Sequence, residues 1–133
     1  MATVAKELNA VIPVAQQQAM LQPAVLGLKI MPNKYEFYRF IINTQKNTGA
    51  WQLINRDQIL NSRTLPSNIK LFLTTHQQDI LANANNPQTP QIIFFPSGDM
   101  TPFVIEIGTK KQAIAYSLSG MANGNVTLSK FTK

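Results

Sequence analysis

His76 is the chain's single histidine, and a lone imidazole acts as a general base or metal ligand only with a carboxylate or second ligand beside it. The one acid near it in sequence is Asp79. Both fall in "HQQDILANANNPQTP", residues 76–90, a Gln- and Asn-rich stretch with two prolines that reads as a surface loop with room for a short helix around Gln78 to Ala84. Ser97 sits in "PSGD", which lacks the flanking glycine of a nucleophile elbow and is accounted for by a turn. Gly98, Gly108, Gly120 and Gly124 are isolated at turn positions, so no loop cradles a phosphate. The six acids are spread along the chain, giving neither a carboxylate pair nor a calcium loop, and the absence of cysteine removes thiolate chemistry and disulfides. No enzyme activity, cofactor or metal is expected.

Aromatic residues offer a second kind of chemistry. Tyr35, Phe37, Tyr38 and Phe40, with Lys34 and Arg39 between and beside them, have the makings of a base-stacking platform. Strand periodicity divides them, with Tyr35, Phe37 and Ile41 on one face and Tyr38, Phe40 and Ile42 on the other, as in a strand buried on both sides. Trp51 reads as a core anchor. The net charge of +6 could attract nucleic acid, anionic lipid or an acidic protein, yet only Lys110 and Lys111 are adjacent and the other basic residues are scattered. Nucleic acid is therefore not expected as a partner.

The elements that carry these residues follow from the change of period. Val4, Leu8, Val11, Ile12, Ala15 and Ala19 fall on one arc, which predicts an amphipathic helix over 3–21, kinked or restarted at Pro13 and ended by Pro23. From residue 26 the period becomes two. Strands are predicted at 26–31, 35–42, 69–74, 92–95, 100–107, 112–118 and 125–131, each bounded by Pro, Gly or Asn. Connectors such as "PNK", "QKNTG", "GTKK" and "GMANG" suit hairpins, so an antiparallel meander is expected, and "PSGD" should join 92–95 to 100–107 as one more hairpin. Asn55 to Pro66 allows at most one helical turn. The 133 residues suit one domain of α+β class, a helix on antiparallel sheet of about seven strands; no 18-residue apolar run and no signal-peptide pattern occurs.

The order of these pieces resembles a family. Ala15 and Ala19 in the helix, Leu26-Gly27-Leu28, Tyr35 with Phe37, Trp51, Leu65-Pro66, and then Phe94, Pro96, Gly98, Thr101, Pro102 and Phe103 in a hairpin are similar to the pattern of the GspH family of minor pseudopilins in type II secretion. The hairpin is the specific element. The resemblance implies a pseudopilin-like fold, with 1–23 the C-terminal part of a longer N-terminal helix and 24–133 a globular β domain. It implies a structural subunit that assembles with other minor pseudopilins and the major pseudopilin to drive export of folded proteins across the outer membrane. It also implies a periplasmic domain anchored in the inner membrane through an apolar helix that this sequence does not contain. Val4, Leu8, Val11 and Ala15 would form the assembly side of the helix, with Val4 and Leu8 protruding beyond the sheet and partly exposed. The alternative reading is a type IV minor pilin that binds DNA, which suits the net charge but not the arginine-free stretch after Arg63. A third, an unrelated ligand-binding β domain, has no positive feature.

Overall fold

Apolar side chains at helical spacing need a surface to cover them, and here they form the buried side of one helix, α1 (Ala2–Leu21). The computed structural model describes residues 2–55, 59–75, 89–109 and 114–130. Pro13 lies on the exposed side of α1, which runs through it as a single helix. The helix stops at Leu21, two residues before Pro23, and the amides of Gln22 and Ala24 close its end on the carbonyls of Gln18 and Ala19.

Nine strands follow among the described residues: β1 (Leu26–Met31), β2 (Lys34–Asn43), β3 (Thr48–Leu53), β4 (Arg63–Thr64), β5 (Ile69–Thr75), β6 (Ile92–Phe94), β7 (Phe103–Thr109), β8 (Ile114–Gly120) and β9 (Val126–Lys130). They form two antiparallel sheets. The first runs β3-β2-β1-β6, with β4 also paired to β2, and the second runs β5-β7-β8-β9. The α+β class is as expected, with two strands more than foreseen. β3 buries one side chain of its six, so it carries no period-two signal, and β4 is two residues long. The latter occupies part of the segment read as a possible helical turn.

The hairpin over 92–107 is corrected. Its turn exists: the amide of Phe95 donates to the carbonyl of Asp99 at 2.9 Å, that of Gly98 to Phe95 at 3.0 Å, and Gly98 has a φ of 96°. Phe94 and Met100 form one bridge beyond it. The flanking strands then part, β6 pairing with β1 and β7 with β5 and β8. At the parting, Thr101 donates its amide to the carbonyl of Ile93 and accepts the Ile93 amide on its hydroxyl, both at 3.0 Å. Pro102 has no amide to continue the pairing, and the chain enters the second sheet at Phe103. The segment is a crossing between sheets, and the chain is not a simple meander.

The main core lies between α1 and the inner faces of both sheets, where Phe37, Leu28, Ile92, Phe94, Ile105, Ile107 and Leu118 are fully buried. A smaller cluster of Tyr38, Trp51 and Ile93 occupies the outer face of the first sheet, with Val25, Phe40 and Phe95 against it. Phe40 meets Trp51 edge-on, ring centroids 5.0 Å apart. Gly27 lies in this face because a Cβ there would stand 2.2 Å from Pro90. β2 is buried on both sides only through its first half. Ile41 and Ile42 are 42% and 68% exposed, since β1 ends at the Leu26–Arg39 pair and β2 continues past it with β3 alone. His76, the helix suggested around Gln78 to Ala84 and the Lys110–Lys111 pair lie outside the described residues.

Candidate assembly surface

Of the helix residues singled out for assembly, Val4 is 2% exposed, Leu8 and Ala15 are fully buried, and Val11 is 8% exposed. The protruding apolar end expected at Val4 and Leu8 is therefore overturned. Both belong to the same core cluster as Tyr35, Leu60, Leu65 and Ile69. Two polar contacts fix this placement. Near the start of α1, Glu7 forms an ion pair with Arg63 of β4 beside Tyr35. Burial pushes the Tyr35 hydroxyl above its ordinary pKa, the Glu7 carboxylate adds to the rise, and the Arg63 guanidinium partly opposes it. A shallow groove of about 430 Å³ opens here along the helix, lined by Ala10, Val14 and Ile59 as well as this ion pair.

Further along α1, Gln16 reaches between two turns. Its Nε2 donates to the carbonyl of Gly98 at 2.7 Å, and a Cβ on Gly124 would stand 1.7 Å from the same nitrogen, so a side chain there would displace the glutamine. Gly124, at a φ of 96°, also has the backbone conformation that disfavours other residues. One helical turn on, the Met20 sulfur lies 3.0 Å from the Cβ position of Gly98. The helix and the 94–103 segment, two separate features of the sequence, thus meet at one place. Phe94 and Phe103 fill the core, Thr101 is 4% exposed, Gly98 is buried, Pro102 is half-buried and Pro96 faces solvent.

Gln16 and Arg63 were not legible as structural contacts. Gln16 lies outside the apolar arc of the helix, and Arg63 pairs with an acid 56 positions away (63 − 7), which no local pattern reports. On the first sheet's outer face, burial and a hydrogen bond to Glu36 push the Tyr38 hydroxyl up to about 12. No three of His, Cys, Asp or Glu gather at metal-binding distance among the described residues, and no described helix is long and apolar enough to cross a membrane. What the surface around α1 offers is shape: a half-covered helix, a groove and a glutamine bonded to one turn and packed close to a second.

A family model for the Type II transport protein GspH matches residues 4–124, from the first turn of α1 to the β8–β9 turn. The chain belongs to the GspH family. Its GspH-type sequence is 22% identical over 121 residues to the type II secretion system protein H of Aeromonas hydrophila, covering 84% of this chain and 64% of that protein. A second relative, the protein H of Pectobacterium carotovorum subsp. carotovorum, is 22% identical over 112 residues, covering 76% of this chain and 60% of that protein. The chain thus spans less than two thirds of the length of these curated relatives. Among solved structures, the minor pseudopilin EpsH of Vibrio cholerae aligns with a TM-score of 0.77 at 20% identity, covering 97% of this chain and 94% of that one. The solution structure of GspH from E. coli aligns with a TM-score of 0.67 at 12% identity, over 95% of this chain and 84% of that one. At such identities these structures establish the shared GspH fold, a helix on two antiparallel sheets.

Proposed function

We propose that this chain is the periplasmic part of a minor pseudopilin of the type II secretion system, a non-catalytic subunit. It assembles with other minor pseudopilins and the major pseudopilin to drive folded proteins across the outer membrane. In this reading residues 1–23 are the lower half of a longer helix whose apolar upper half anchors the protein in the inner membrane before assembly, and 24–133 are the β domain. The observation that carries the proposal is the GspH family match over residues 4–124. The type II relatives favour this reading over a DNA-binding type IV pilin.

The buried stripe of Val4, Leu8, Val11 and Ala15 serves assembly by fixing α1 to its own sheets. Neighbouring subunits then meet the opposite side, where Thr3, Lys6, Ala10, Pro13 and Gln17 are exposed. The test is the pair Ala10→Glu and Gln17→Glu in the full-length protein. The soluble chain should keep its melting temperature, while co-purification with other pseudopilins and secretion of folded substrate should both fall. Normal secretion and undiminished co-purification with both glutamates present would remove the exposed side of α1 from the assembly.

A further inference from the structure

The first sheet ends in a strand that nothing covers among the described residues. β3 joins β2 through the pairs Arg39–Gln52, Ile41–Ala50 and Asn43–Thr48, alternating with Tyr38–Leu53, Phe40–Trp51 and Ile42–Gly49. The amide of Ile54, opposite Phe37, donates to the Phe37 carbonyl at 2.9 Å, which sets the phase of the ladder. Antiparallel pairs alternate between hydrogen-bonded and non-hydrogen-bonded, so the pairs of Gln52, Ala50 and Thr48 are the bonded ones. Gly49, Trp51 and Leu53 therefore turn their amides and carbonyls outward, away from β2.

The edges of β5, β6 and β9 are blunted. β6 is three residues long and flanked by Pro90 and Pro96, β9 carries Lys130, and β5 carries Lys70 and has the Leu71 amide tied to the carbonyl of Pro32. β3 has none of these devices. In a chain of net charge +6, the run Thr48 to Asn55 holds no charged residue and no proline.

We propose that the β3 edge pairs antiparallel with the β3 edge of a second copy of this chain, across a twofold axis at Trp51. Among the antiparallel registers that place outward groups opposite one another, only the one centred on Trp51 uses all three outward residues. It sets Gly49 against Leu53 of the second copy, Trp51 against its own counterpart, and Leu53 against Gly49 of the second copy. Each of these three pairs exchanges two backbone hydrogen bonds. The side chains suit the same register. A Cβ on Gly49 would stand 2.4 Å from the Phe40 ring, so the incoming Leu53 meets that ring with no side chain of residue 49 in between. Leu53 is 37% exposed in the single copy and gains an apolar neighbour on pairing. The Trp51 ring leans inward, 3.2 Å from the Cβ position of Gly27, which keeps its bulk off the axis. The opposite face pairs Ala50 with Gln52 of the second copy, small against long and without charge. This surface is separate from α1, so the proposal stands whether or not the secretion reading does.

The register can be read directly, because the chain has no cysteine of its own. Chains carrying Ala50→Cys are mixed with chains carrying Gln52→Cys and oxidised; both sites are exposed, so neither change disturbs the core. These positions face each other across the axis within disulfide reach. A mixed disulfide dimer should form, in several-fold excess over the yield from Thr48→Cys with Gln52→Cys, which reports a slipped register. Leu53→Pro removes an outward donor from each copy while sparing the β2 ladder, and should weaken association of the uncrosslinked chain by about tenfold or more in sedimentation. Equal yields from the two cysteine mixtures, or a monomer at every concentration, would overturn the proposal, as would association that Leu53→Pro leaves unchanged.

Discussion

The two ends of α1 reverse the ordinary expectation for a helix that enters a domain from one side. Its first turns are sealed, with Val4 2% exposed and Leu8 fully buried, whereas its last turn leaves Met20 and Leu21 42% and 74% exposed. Both ends are apolar in sequence. The difference lies in what faces them: Val4 and Leu8 pack in the shared core with Tyr35, Leu65 and Ile69, while Met20 lies against the turn at Gly98 with much of its surface open. Apolarity marks where a helix can be buried, and the reach of the strands beside it decides where it is.

The comparison breaks most visibly at the sealed end. Replacing Val4 and Leu8 together with Asp puts two carboxylates into a dry core and should cost more than about 4 kcal/mol, enough to unfold many single domains. Chemical denaturation of this chain measures it, and a loss below about 1 kcal/mol would return those residues to the surface. In the middle of the helix, Gln16→Ala deletes the donor to Gly98 and should cost about 0.5–1.5 kcal/mol. Its thermal melting should therefore fall between the other two cases. At the open end, Leu21→Ser should move stability by no more than about 0.5 kcal/mol, as an exposed side chain does. A larger loss in the same melting experiment would mean that the last turn is covered after all.

Local pattern carried much of the fold. Residues 26–31 and 69–74 are strands as the alternation implied, and the apolar arc of α1 faces the core as the helical spacing required. Partnership between strands was less legible. Ile92 to Phe94 and Phe103 onward look like neighbours joined by a turn, but which sheet each joins depends on β1 and β5, tens of residues away. β3 escaped because an edge strand with one buried side chain has no alternation to display. On the candidate surface, the glycines at 98 and 124 announced turns. The glutamine that ties the Gly98 turn to the helix and lies close against Gly124 announced nothing, since a polar residue on a helix reads as solvated until its partner is known.

The crossing at Thr101 and Pro102 has a consequence for how the chain folds. In sequence order the strands go to the first sheet four times, to the second once, back to the first at β6, and then to the second for good. The first sheet cannot be completed until β6 has been made, by which time β5 already awaits its partners β7 and, through it, β8 and β9. Neither sheet is a unit that can form, or be lost, by itself. Such long-range pairing predicts slow folding and a single cooperative melting transition, with the helix released only when both sheets go together.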